Sequence, residues 1–205
     1  MSTTIEEVDY NGFPRIAKAM REDAIKLNKE VTMAYATVGV MGKNWYGPRY
    51  DDLVKIFNKM IPDFENILKL TVTDFPYTLE LVANNYSTVD TGKKVTSAEK
   101  TPIQKIQNIS LSGKTTFRFM EENVKTNQTD INKNFDRILG FIDSIEADYK
   151  KLNWISAAAK EFEMKFNRLK NDISTKVSDT KVQFKKLMDQ TVEDIQRSEN
   201  ANTVS

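Results

Sequence analysis

Apolar residues recur at alternating steps of four and three along four stretches of the chain. The first stretch is Met20, Ala24, Leu27, Val31, Ala34, Val38 and Met41, with charge on the opposite positions. That spacing makes one stripe on an amphipathic helix. After an interruption, Leu53, Phe57, Met60, Phe64 and Ile67 resume it. A third seam runs Ile131, Phe135, Ile138, Ile142, Ile145, Tyr149 and Leu152, extending back to Phe117, Met120 and Val124. The fourth is Phe162, Phe166, Leu169, Ile173, Val177, Phe184 and Leu187. Helices of ~30–37 residues would each be roughly 45–55 Å long. The pattern predicts an all-α fold of two long helix-turn-helix hairpins packed as an elongated four-helix bundle.

The hairpins register on one another. Counted from Trp45 and Trp154, Leu53 and Phe162 both stand at +8, Phe57 and Phe166 at +12, Met60 and Leu169 at +15, Phe64 and Ile173 at +19. Asn58/Asn167 and Asp63/Asp172 match as well, which a shared heptad rhythm does not require. This is a tandem duplication. It divides the chain into a first hairpin (1–92), a linker lying on the bundle (93–113), a second hairpin (114–197) and a disordered tail (198–205).

Pro62 falls inside the second helix, where it removes a backbone hydrogen bond and predicts a kink. Pro76 predicts a further break, opening a separate segment at "PYTLELVANNY". Antiparallel pairing of the hairpins requires the linker to travel ~50 Å. Residues 91–113 reach ~75 Å fully extended, whereas a relaxed coil of that length averages about 26 Å. The linker is therefore expected to be extended and pinned, with Ile103, Ile106, Ile109 and Leu111 as anchors.

At the first turn, "GKNWYGPRYDDL", Gly47 is suited to the N-cap and Pro48 to the first helical position, with Asp51 and Asp52 near the positive dipole end. Gly42 supplies C-cap chemistry for the first helix. At the second turn, "LNWISAAAKEFE", Ser156 takes the N-cap register. Trp45 and Trp154 each precede that cap by two residues. Each indole either seals a hairpin core with its N–H on a carbonyl or stays partly exposed as a partner's anchor.

Composition narrows the chemistry. With 30 Lys+Arg against 29 Asp+Glu, no net field favours nucleic acid or an anionic membrane. With no Cys and no His, thiolate and imidazole metal sites, Cys nucleophiles and Ser-His-Asp triads are excluded. No phosphate loop is present, so neither catalysis nor a cofactor is expected. The most apolar run, Val31–Gly42, is shorter than the ~20 residues of a spanning helix. The opening "MSTTIEEVDYNG" lacks the basic and apolar regions of a cleaved leader.

A long helix, a Trp-x-Gly turn and a second helix resemble the WXG family of ESAT-like type VII secretion substrates. "WYG", Trp45 to Gly47, is that family's turn motif, and "YSTVD", Tyr86 to Asp90, matches its Tyr-x-x-x-acidic export signal, expected just beyond the second helix. The second hairpin departs from the pattern, with "WIS" at Trp154–Ser156 and no Tyr-x-x-x-acidic sequence in its tail. The resemblance implies antiparallel hairpins and a composite signal, the turn of one beside the tail of the other. In a fused tandem, Tyr86 and Asp90 would lie near the Trp154 turn. It further implies a non-enzymatic protein made in the bacterial cytoplasm and secreted without a cleaved leader. As effector or carrier, it would have as partners the type VII secretion ATPase and machinery, with self-pairing of the halves, a homodimer or another WXG-like protein. The alternatives are a membrane-active toxin component, resting on Val31–Gly42, and a cytoplasmic coiled-coil adaptor or chaperone.

Overall fold

Apart from Phe117, Met120 and Leu152, the seam residues lie on four long helical stretches, and most of them are buried. The computed structural model describes residues 9–114, 116–152 and 154–202. In chain order the elements are α1 (Gly12–Met41), β1 (Trp45–Tyr46), α2 (Pro48–Leu68), a π-helical segment (Lys69–Asp74), α3 (Phe75–Thr91), β2 (Arg118–Phe119), α4 (Glu121–Lys150) and α5 (Ala157–Asn202). The fold is an all-α bundle. Every residue of the first seam, Met20 through Met41, is fully buried. The apolar run ending in Gly42 is therefore core on one face.

The chain forms two compact units, and each draws on both hairpins. The first comprises Met1–Asn28, Glu65–Gln104 and Gly140–Lys170; the second comprises Lys29–Phe64, Lys105–Leu139 and Asn171–Ser205. In the first, Phe75 of α3 stacks on Phe162 of α5 at 3.8 Å between ring centroids, and Tyr149 of α4 meets both edge-on. Lys170 ties α5 to Asp143 and Glu146 of α4. These contacts hold the Glu146 carboxyl below its usual range, chiefly through Lys150 and Lys170. In the second unit, Tyr35 of α1 packs edge-on against Phe57 of α2, which stacks on Phe135 of α4. Lys176 reaches Asp63, and Lys181 reaches Asp136, joining α5 to α2 and α4.

Neither proline interrupts the helical path. Pro62 lies inside α2 without ending it. Phe57 O, one residue before the carbonyl that Pro62 cannot serve, accepts the Tyr35 hydroxyl at 2.6 Å. Pro76 does not open a separate segment: the helical path continues through the π-helical turn into α3. There Phe75 N–H closes on Leu70 O, five residues back. Pro76 has no N–H to give, and Val72 O instead accepts from Arg21 Nε at 3.1 Å. Arg21 also forks onto Glu80 and donates to Glu99 O at 3.1 Å.

α3 ends on Gly92, whose φ of 72° suits the left-handed cap, with its N–H on Thr88 O at 3.0 Å. The linker that follows is extended and held largely by polar clamps. In the first unit, Asn84 accepts the Val95 and Thr96 amides and returns a bond to Thr96 O at 3.0 Å, while Thr73 donates to Thr101 O. In the second, Asn58 exchanges two 2.9 Å bonds with the Ile109 backbone, and Asp51 accepts the Ser112 amide at 2.7 Å. An Asn side chain presents a donor NH2 beside an acceptor oxygen, so it can pair with a backbone edge as a strand does. Of the expected anchors, Ile106 is buried, Ile103 and Ile109 are half-buried, and Leu111 is exposed. α4 begins only at Glu121, so Phe117 and Met120 precede the helix they were expected to extend. α5 continues through Ser198–Asn202, a stretch expected to be disordered; residues 203–205 lie outside the described residues.

Candidate functional site

The first Trp turn belongs to the second unit. α1 ends in successive three-residue-step bonds, the last from Asn44 N to Met41 O at 2.8 Å. Gly42 is needed for space: a Cβ there would stand 2.7 Å from the Tyr50 hydroxyl. That hydroxyl donates to Val38 O at 3.0 Å, and burial, with Asp51 nearby, pushes its pKa up to about 12. Gly47 is required by its backbone, with φ of +121°. Its carbonyl accepts the Asp51 amide at 3.1 Å, so it is the N-cap of α2.

Trp45 is wholly buried. Its indole stacks on Phe184 of α5 and meets Tyr50 and Phe119 edge-on at 6.2 and 5.6 Å. β1 and β2 pair antiparallel, Trp45 opposite Phe119 and Tyr46 opposite Arg118, and Met120 N donates to Asn44 O at 2.9 Å. The segment just before α4, expected to belong to the second hairpin, thus extends the linker and covers the turn. Trp45 Nε1 finds no carbonyl; it is buried without a hydrogen-bond partner among the described residues. Trp45 is neither an exposed anchor nor a satisfied seal.

The second turn belongs to the first unit and is finished differently. Ser156 caps α5: its Oγ accepts Ala159 N at 3.0 Å and its carbonyl accepts Lys160 N at 3.1 Å. Trp154 is half-buried, with Phe13 of α1 edge-on at 5.3 Å. Tyr86 and Asp90 lie within α3, not beyond it, on one helical face. Tyr86, 39% exposed, lines a groove of ≈ 420 Å³ with Val82, Asn85, Val89 and the Trp154–Ser156 turn. Asp90 accepts the Tyr10 hydroxyl at 2.8 Å, and that bond raises the Tyr10 pKa.

The register shows residues that a search by type misses. Val82, Asn85, Tyr86 and Val89 follow Trp45 by 37, 40, 41 and 44 positions; Thr191, Asp194, Ile195 and Ser198 follow Trp154 by the same steps. Those four α5 residues, with Glu199, Pro48, Arg49 and Phe117, line a groove of ≈ 570 Å³ in the second unit. Ile195 and Glu199 thus stand in the places of Tyr86 and Asp90. Carrying the duplication register beyond +19 finds them, whereas scanning for Tyr and Asp does not.

No cluster of ligating side chains suited to a metal ion occurs among the described residues, and no helix there is long and apolar enough to cross a membrane. Compared with protein-family models, curated proteins and solved structures, the chain matches none.

Proposed function

We propose that the chain is a non-enzymatic helical protein of the WXG type, exported through a type VII (ESAT-like) system and acting as an effector or as a carrier for other substrates. The observation that carries this reading is the groove joining Tyr86 to Trp154, Ile155 and Ser156. A composite signal needs the tail of one hairpin beside the turn of the other, and here both come from one chain. The groove offers an aromatic ring and apolar walls, which suit recognition by a partner. The secretion ATPase is the partner proposed.

The test is release into the medium from the producing bacterium. Deleting the secretion ATPase should abolish it, as should Tyr86→Ala, which removes an exposed ring and leaves the core intact. Release that continues in either case defeats the proposal. A protein retained in the cytoplasm of a secretion-competent strain would instead favour an adaptor. The Val31–Gly42 run lends no separate support to membrane activity, because Val31, Ala34, Val38 and Met41 are core residues.

A further inference from the structure

At the first turn an extended strand of the linker lies along Trp45–Tyr46. Phe119 stands on the indole, Lys114 Nζ lies 4.0 Å from the centre of the Tyr46 ring, and Phe117 abuts Gly47. The second turn has no such strand among the described residues. Ile155, in the register of Tyr46, is 84% exposed. Its N–H, its carbonyl and that of Trp154 have no hydrogen-bond partner among the described residues. An open backbone edge beside a half-buried indole is a template for strand addition.

We infer that the Trp154–Ser156 turn docks an extended peptide of a partner protein, bearing an aromatic residue for Trp154 and a carboxylate for Lys160. The first turn shows the backbone mode and the aromatic. Its strand places aromatics at alternate positions, Phe119 on the indole and Phe117 in the groove beside Ile195. At the second turn the corresponding groove is walled by Tyr86, Val82 and Val89, which is 89% exposed. Charge sets the rest of the partner. Asp51, six positions after Trp45, accepts the amide of Ser112; six positions after Trp154 stands Lys160, which is exposed. A cation where the first copy has a carboxylate attracts an acidic residue at the place of Ser112. The site is the groove on which the export reading rests, but the docking mode is argued from the strand at the first turn, so peptide binding and export can fail separately.

The probe is a fluorescein-labelled peptide of residues 112–121 carrying Ser112→Asp, titrated against the full chain by fluorescence anisotropy. Saturable binding is expected. Trp154→Ala, Ile155→Pro (which removes the amide donor) and Phe119→Ala in the peptide should each weaken it at least about tenfold. Lys160→Glu should reverse the preference for the acidic peptide over its parent. Thermal melting checks each variant's fold; should a turn variant unfold, Ile155→Asp, altering only an exposed side chain, decides in its place. No saturable binding overturns the inference. So does binding that the turn variants leave unchanged, since the peptide would then be exchanging with the strand at the first turn.

Discussion

Glu80 is a buried carboxylate whose loss should cost the first unit several kcal/mol. It is 6% exposed, and its carboxylate receives both arms of the Arg21 guanidinium, whose side chain is 17% exposed. Glu80→Ala strands that cation in a largely dry site. Breaking a buried pair by removing one partner costs about 3–5 kcal/mol. Arg21 keeps the carbonyls of Val72 and Glu99, each at 3.1 Å, so the loss should fall at the lower end, about 3 kcal/mol. With a urea m-value of about 2–3 kcal/mol/M, the midpoint should drop by roughly 1–1.5 M. Two compact units need not unfold in one step, so far-UV circular dichroism and Trp fluorescence should be recorded together. The double variant Arg21→Met/Glu80→Leu removes both charges but also the Arg21 bonds to Val72 O and Glu99 O, so it should regain only about 1–2 kcal/mol of the loss, the remainder being the cost of the freed Val72 carbonyl. A single-variant loss below about 1 kcal/mol, the worth of an exposed pair, would refute the reasoning, as would a double variant no better than the single.

Gly47→Ser should destabilise by about 1–3 kcal/mol, because a side chain is strained at φ +121°, although Ser serves the same register at the second turn; an unchanged melting temperature would count against it. Ser156→Ala should cost about 1 kcal/mol and Ser156→Gly only a few tenths, read by chemical denaturation, and equal losses would deny the hydroxyl its role. In a spectrophotometric titration near 295 nm, Tyr50 should ionise only around pH 12, held neutral mainly by burial, and Tyr35 should also lag, raised by burial. Their raised folded-state pKa values mean that the unfolded chain sheds these protons first. Their contribution is therefore complete below about pH 10 and declines between about pH 10 and 12; stability rising across that window would contradict the assignment.

The helices were legible because each seam is a local signal. Met20 to Met41 needs only the 3.6-residue period, and its residues are all buried. The caps at Gly47 and Ser156 were legible for the same reason. The fate of Trp45 was not, because its cover comes from Phe119 and Phe184, far along the chain. Pro76 misled because the signal for a break is local, whereas the group that takes up the freed carbonyl, Arg21, lies on another helix. Ile195 and Glu199 were hidden by chemistry rather than by distance. They keep the register of Tyr86 and Asp90 with one residue type changed outright and the other only in length.

The linker clamps also imply an order of assembly. Asn84 meets Thr96 across 12 positions, Thr73 meets Thr101 across 28, Asn58 meets Ile109 across 51 and Asp51 meets Ser112 across 61. Each closure brackets the one before it, so each successive loop is short once its predecessor has formed, and loop entropy is spread over small steps. The linker should close like a zipper whose last tooth is the strand over Trp45. Pulsed hydrogen exchange would then show the Val95 and Thr96 amides protected early and Met120 late; protection of Met120 first would reverse the order.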